Sequence, residues 1–266
     1  MHARPTARAL ALCLLLFGCG AGLAQETKPT AGSATNSSAK GAAPRTYVIV
    51  HGAWGGGWAF RRVEGLLRAR GHTVYRPTLT GLGERRHLAT RDVGLNTHVE
   101  DVVNVLLFED LRDVVLVGHS YGGMVITGVA DRVPERIRSL VYLDAFVPAD
   151  GESVSTLVGA RGAWLKQMEK DGFLVPPWVK ADQPPPKDVP HPLKTFTDPV
   201  VYKSEAAKRL PATYILTVEA NAKTDDFDAQ AERAKARGWT ILRMQADHNP
   251  QRTAPEALVE LLDQTR

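Results

Sequence analysis

A serine stands between glycines at Gly118-His119-Ser120-Tyr121-Gly122, directly behind the apolar run Val114-Val115-Leu116-Val117. A Gly-x-Ser-x-Gly element that leaves a buried strand and enters a helix makes a tight turn, which lifts the serine hydroxyl clear of the sheet edge. Glycine is needed on both sides because a strained serine backbone leaves no room for neighbouring side chains. Residues 124–132, Met-Val-Ile-Thr-Gly-Val-Ala-Asp-Arg, read as the mainly apolar helix that the turn must feed. Ser120 is therefore a candidate nucleophile. A glycine-rich turn that merely contains serine is the plain alternative. The choice rests on whether the chain also supplies a base, an acid to orient it, and oxyanion donors.

His248 is the first candidate for the base among eight histidines. It follows the last apolar run, Thr240-Ile241-Leu242-Arg243-Met244, by a few residues and precedes a terminal helix, so its imidazole belongs at the carboxyl end of a strand. His51, His119 and His191 are its rivals. His119 lies inside the turn with its side chain directed away from the serine, and His51 lies in the first loop, where it braces backbone. The stretch His51-Gly52-Ala53-Trp54-Gly55-Gly56-Gly57-Trp58 follows the first strand, and its glycines let backbone approach a ligand closely. The backbone N–H groups of Ala53 and Tyr121 are the candidate oxyanion donors. A phosphate cradle is the competing use, but both the Gly-x-Gly-x-x-Gly spacing and a Gly-Lys-Ser/Thr ending are missing. Trp54 is assigned to the substrate pocket, while Trp58 serves equally as packing.

The elements that must position these groups alternate. Strands are expected at Tyr47-Val48-Ile49-Val50, Thr73-Val74-Tyr75, Val114 onward, 139–143, 214–218 and 240–244, with helices over 59–70, 124–132 and 226–237. Thr97-x-x-Glu100 and Thr253-x-x-Glu256 read as capping boxes that open helices reaching about 108 and 264. Such alternation implies parallel strands joined by crossovers in an open α/β sheet. Between about 148 and 204 the alternation fails, with Trp164, Trp178 and Pro184-Pro185-Pro186 in a stretch expected to lack strands and to form a small cap or lid.

The length of 266 residues, 44% hydrophobic and 23% charged, suits one globular domain. Residues 1–24 carry Arg4 and Arg8, an apolar run over 9–17 and small residues before position 25, the form of a secretory signal peptide rather than a spanning helix. A periplasmic or secreted location follows, with no transmembrane segment in the mature chain. Leu16-Phe17-Gly18-Cys19 also resembles a lipoprotein processing box, which leaves lipidation of Cys19 as the alternative. Both cysteines, Cys13 and Cys19, fall inside this segment, so the folded domain has no disulfide, thiolate metal site or cysteine nucleophile. Residues 25–45 read as a flexible linker, and 46–266 as the domain. The leader holds two arginines and no acid, so the mature chain keeps +2 of the formal +4, and without a basic block it is not a nucleic-acid binder.

Taken together, His51-Gly52-Ala53 with Gly56-Gly57-Trp58, Thr80-Gly81-Leu82-Gly83-Glu84-Arg85, Gly118-His119-Ser120-Tyr121-Gly122-Gly123, Leu143-Asp144-Ala145-Phe146-Val147-Pro148 and His248 before Thr253-Ala254-Pro255 resemble the α/β-hydrolase superfamily, in particular bacterial esterase-like relatives of plant methyl esterases and hydroxynitrile lyases. The resemblance implies an α/β-hydrolase fold, a mostly parallel open sheet flanked by helices with a small cap. It also implies a serine hydrolase that cleaves small carboxylic esters through an acyl-enzyme, without cofactor or metal. Family members commonly place the acid after the penultimate strand, but here that place reads Val218-Glu219-Ala220-Asn221-Ala222. Asp144, at the end of the strand after the nucleophile strand, is the first candidate, with Glu219, Asp225 and Asp226 as alternatives. Related lyases carry a lysine directly after the base, whereas Asn249 follows His248, which disfavours lyase activity. A non-catalytic small-molecule binding protein on the same scaffold, or a cofactor-free lyase, remains the alternative function.

Overall fold

A computed structural model describes residues 43–220 and 226–265. The expected leader, Cys19 and nearly all of the expected linker lie outside the described residues, as does Asp225. In chain order the elements are β1 (Thr46–Val50), α1 (Arg61–Ala69), β2 (Thr73–Tyr75), α2 (Leu95–Phe108), β3 (Val114–His119), α3 (Gly122–Arg132), β4 (Ile137–Leu143), α4 (Val154–Val158), α5 (Ala163–Met168), β5 (Glu169–Lys170), β6 (Phe173–Leu174), β7 (His191–Pro192), α6 (Lys194–Thr197), α7 (Glu205–Lys208), β8 (Ala212–Val218), α8 (Asp228–Ala236), β9 (Thr240–Gln245), α9 (Pro250–Thr253) and α10 (Pro255–Gln264).

Six strands form one sheet in the order β2-β1-β3-β4-β8-β9, every pair parallel. Alternate residues of β1 and β3 feed two separate cores. Tyr47, Ile49, Val115 and Val117 face Phe60, Leu67, Leu258 and Leu262 on one side of the sheet. Val48, Val50, Val114 and Leu116 face Val99, Val102, Met124 and Val125 on the other. A sheet covered on both faces needs strands that are apolar throughout, which is why these runs show no polar alternation. Arg45, in the expected linker, is already tied in: its guanidinium donates to the carbonyl of Thr265 at 2.6 Å.

Both expected capping boxes are absent. Helix α2 opens at Leu95 after Gly94, with Thr97 inside its first turn. Its end is capped from outside, since Leu95 N–H donates to Asp198 Oδ2 at 3.2 Å. A Cβ on Gly94 would lie 2.1 Å from that carboxylate oxygen, so glycine is what admits the distant acid. Thr253 is spent on another bond, donating its hydroxyl to Asp247 Oδ1 at 2.8 Å, and α10 starts instead with Pro255 in its first turn.

The 148–204 stretch differs from its expectation by holding strands. Strands β5, β6 and β7 make a small antiparallel sheet. Lys170 pairs with Phe173 across the two-residue turn Asp171-Gly172, with φ of 54° and 81° at those residues. Asp-Gly suits that geometry because both central residues of such a hairpin turn need positive φ. Among the described residues no helix is long and apolar enough to cross a membrane.

Candidate active site

The turn between β3 and α3 puts Ser120 at φ 53°, in the left-handed region that a non-glycine residue occupies only under constraint. The constraint comes from the adjacent strand: Ser120 N–H donates to Leu143 O at 3.1 Å, and Phe146 N–H donates to Ser120 O at 3.1 Å. Close backbone contact excludes side chains beside it. A Cβ on Gly118 would lie 2.6 Å from Gly122 O, and one on Gly122 would lie 2.7 Å from Val50 O.

His248 arrives on the short loop between β9 and α9. Its Nε2 lies 3.0 Å from Ser120 Oγ, and its Nδ1 lies 2.6 Å from Asp144 Oδ2. With Nδ1–H donating to the Asp144 carboxyl oxygen, Nε2 is left as the acceptor for the serine hydroxyl. Three further contacts hold the ring and its loop. His119 Nε2–H donates to the backbone carbonyl of His248 at 2.7 Å, Phe227 stacks on the imidazole with centroids 4.9 Å apart, and Asp247 Oδ1 accepts Asn249 N–H at 2.9 Å.

Asp144 is fully buried at the end of β4, at φ 43°. Its Oδ1 accepts Thr217 N–H at 3.3 Å, while its own N–H donates to Ile215 O at 2.8 Å. Of the alternative acids, Glu219 and Asp226 are exposed and, among the described residues, make no hydrogen bond or ion pair with His248. Sheet order explains the geometry. Strand β4 lies directly beside β3, with Leu143 opposite His119, so the residues that follow this pair, Asp144 and Ser120, emerge side by side.

The loop after β1 closes over the serine. A Cβ on Gly52 would come within 3.1 Å of Ser120 Cβ. His51 braces this loop by donating Nδ1–H to Gly52 O at 2.7 Å and accepting Leu79 N–H at Nε2, 3.1 Å away. The N–H groups of Ala53 and Tyr121 have no hydrogen-bond acceptor among the described residues, the condition an oxyanion donor requires. Ser120 and His248 line a cavity of about 300 Å³ together with Trp54, Trp58, Trp178, Asp188 and Arg252. Burial pushes the Asp188 carboxyl up, opposed by the Arg252 guanidinium. Nothing in the local sequence marks Trp178, Asp188 or Arg252; they reach the site only through the path of the 148–204 stretch and the placement of α9. Among the described residues, no group of three His, Cys, Asp or Glu is arranged to hold a metal ion.

Four histidines around the site are buried and held neutral. Burial lowers His51 and His98 to about 4 and His119 to about 3, and pulls His191 well below its ordinary value. These depressed values fix the sign of the acid response. Below the ordinary histidine value of about 6.5 the unfolded chain takes up protons that the folded one refuses, so each such residue removes up to about 1.4 kcal/mol of stability per pH unit until its folded value is reached. The melting temperature is therefore expected to fall steadily from pH 7 to pH 5, as followed by calorimetry. A flat profile across that range would count against these rings being held neutral inside the fold.

A profile of the alpha/beta hydrolase family matches residues 47–261. A carbendazim hydrolyzing esterase of Nocardioides sp. (strain SG-4G) is 38% identical over 236 residues, covering 81% of this chain and 97% of that protein. Methylesterase 1 of Arabidopsis thaliana is 32% identical over 123 residues, which cover 46% of this chain and 47% of its own. Among solved structures, an extracellular alpha/beta-hydrolase from a Paenibacillus species superposes with a TM-score of 0.72 at 24% identity, over 84% of this chain and 99% of the other. The parallel sheet with its serine turn, the coverage of nearly all of the described domain and the likeness to the esterase lead to one assignment: the chain belongs to the alpha/beta hydrolase family.

Proposed function

We propose that the protein is a serine hydrolase that cleaves small carboxylic esters through an acyl-enzyme on Ser120. The observation that carries this reading is the aligned relay from Asp144 through His248 to Ser120, with contacts of 2.6 and 3.0 Å. Ser120 Oγ attacks the ester carbonyl carbon as its proton passes to His248 Nε2. The carbonyl oxygen becomes an oxyanion, which the Ala53 and Tyr121 N–H groups stabilise. Collapse breaks the bond to the alcohol oxygen, which leaves with the proton returned by His248. Water then adds to the acyl carbon by the same route in reverse, releasing the acid and restoring the serine. Ester and water are the only reactants. Asp144 holds the imidazole in the Nδ1–H tautomer and stabilises the imidazolium that forms in each half-reaction.

The likeness to a carbendazim hydrolyzing esterase, to plant methylesterases and to a pyrethroid hydrolase of Sphingobium wenxiniae supports ester cleavage over other uses of the fold. The cavity of about 300 Å³, walled by Trp54, Trp58 and Trp178, suits a small ester. A non-catalytic binder would follow if the base lacked an acid, but Asp144 supplies one. We read residues 1–24 as a leader that carries the enzyme out of the cytoplasm.

A fluorophosphonate probe tests the reading directly. It is expected to modify the folded protein stoichiometrically, with the mass increase on the peptide that carries Ser120, and a panel of p-nitrophenyl esters should show turnover that labelling abolishes. A folded protein inert to the probe and to every ester would refute the assignment.

A further inference from the structure

Trp54 fastens the oxyanion loop to the stretch between β4 and β8 by three hydrogen bonds. Its N–H donates to His191 Nδ1 at 3.1 Å, its carbonyl accepts Val189 N–H at 2.9 Å, and its indole Nε1–H donates to Leu174 O at 3.1 Å. Trp54 is also held at φ 62°, which a residue with a side chain keeps only when its surroundings impose it. On the other end of the same peptide unit, the Ala53 carbonyl accepts Gly55 N–H at 2.7 Å. The peptide linking Ala53 to Trp54 is thus pinned at both its polar atoms. A single Cα separates it from the Ala53 N–H.

We propose that His191 is a positioning residue for ester hydrolysis: by accepting the Trp54 N–H it keeps the Ala53 amide aimed at the developing oxyanion, so that the 148–204 stretch supports the catalytic loop instead of swinging free of it. The proposal rests on the serine hydrolase reading given above.

The hydrogen-bond chain permits only one form of the ring. Thr195 Oγ1 donates its proton to Pro192 O at 2.8 Å and lies 2.7 Å from His191 Nε2, so it must accept there. His191 therefore carries its proton on Nε2 and leaves Nδ1 bare for Trp54. A second proton would set a donor against the Trp54 N–H. The packing reinforces this form. His191 is fully buried, with the rings of Tyr121 at 5.0 Å, Phe196 at 5.1 Å and His98 at 5.7 Å. His98 is itself neutral-compatible, donating Nε2–H to Thr80 O at 2.8 Å and accepting the Tyr121 hydroxyl at 2.9 Å. The residue after the nucleophile and the residue after the Ala53 donor are thus both held through buried imidazoles.

The test compares His191→Phe, which keeps a ring but deletes the acceptor, with His191→Asn, whose amide oxygen takes the place of Nδ1. Both are made in the full chain and assayed on a p-nitrophenyl ester that the wild type hydrolyses. The Phe variant is expected to lose about 10- to 100-fold in kcat with KM within about threefold of wild type, because a misdirected donor weakens transition-state binding more than ground-state binding. The Asn variant should regain most of the lost kcat. A folded Phe variant with wild-type kcat, a loss confined to KM, or an Asn variant no better than Phe overturns the proposal. Should the Phe variant fail to fold, Thr195→Val decides: it strips Nε2–H of its acceptor, and kcat must fall with KM held, an unchanged kcat counting against the role. Wild type and Ser120→Ala run alongside. An active wild type with an indifferent His191 removes only the positioning role, whereas a wild type that hydrolyses no ester removes the hydrolase reading and this role with it.

Discussion

Ser120→Ala is expected to lower ester turnover by about 10⁴- to 10⁶-fold, to the level left by binding and the oxyanion donors alone. In the proposed mechanism this hydroxyl is the attacking atom, and among the described residues it is the one hydroxyl with a hydrogen bond to His248. Stability should change little. The constraint on position 120 comes from its backbone N–H and carbonyl, bonded to Leu143 and from Phe146, and alanine retains both. Steady-state kinetics on the ester preferred in the panel, together with a thermal melt, check both halves of the expectation. Turnover within tenfold of wild type in a folded variant would mean that the serine is not the nucleophile.

Asp144→Asn is the second large effect, with an expected loss of about 10³- to 10⁴-fold in kcat, the scale seen when the acid of an analogous relay becomes an amide. The reasoning is tautomeric. An aspartate at 2.6 Å from His248 Nδ1 accepts a proton there, whereas an asparagine amide presenting its NH₂ group would demand a bare Nδ1 and move the imidazole proton to Nε2. The base would then face Ser120 with a hydrogen it cannot exchange for another. Glu219→Gln and Asp226→Asn, at exposed positions with no hydrogen bond or ion pair to the imidazole, are expected to stay within about twofold of wild type, as surface changes usually do. Parallel assays of the three variants decide the acid. A collapse at 219 or 226 with activity retained in Asp144→Asn would transfer the role.

The parts of the site that were legible beforehand are those coded within a few residues. The turn at 118–122 is recognisable because glycine spacing and the apolar run before it report the same local geometry, and the six main strands because burial on both faces makes them apolar throughout. Asp144 is legible as a strand-end carboxylate, but that it, and not Glu219, meets His248 depends on β4 lying next to β3 with β8 beyond it. Helix starts are hidden for a comparable reason. Thr97 and Thr253 have capping-box spacing, yet Asp198 caps α2 from about a hundred residues downstream, and Asp247 engages Thr253 for the loop that carries the base. The Asp171-Gly172 turn was a local signal for the small antiparallel sheet, obscured because strands of two residues have no periodicity to detect. His119 and His191 act on groups 129 and 137 residues away, and no spacing rule covers such distances.

The register of β3 against β4 sets Leu143 opposite His119, and the next residue on each strand is a member of the relay. The separation of Ser120 and Asp144 is therefore a property of a hydrogen-bonded ladder. The imidazole alone rides on a short connection, tethered by a carbonyl bond and a stacked phenyl ring. Sheet geometry serves here as a fixed gauge for two partners, while the place of the third is set by the few residues that hold its loop.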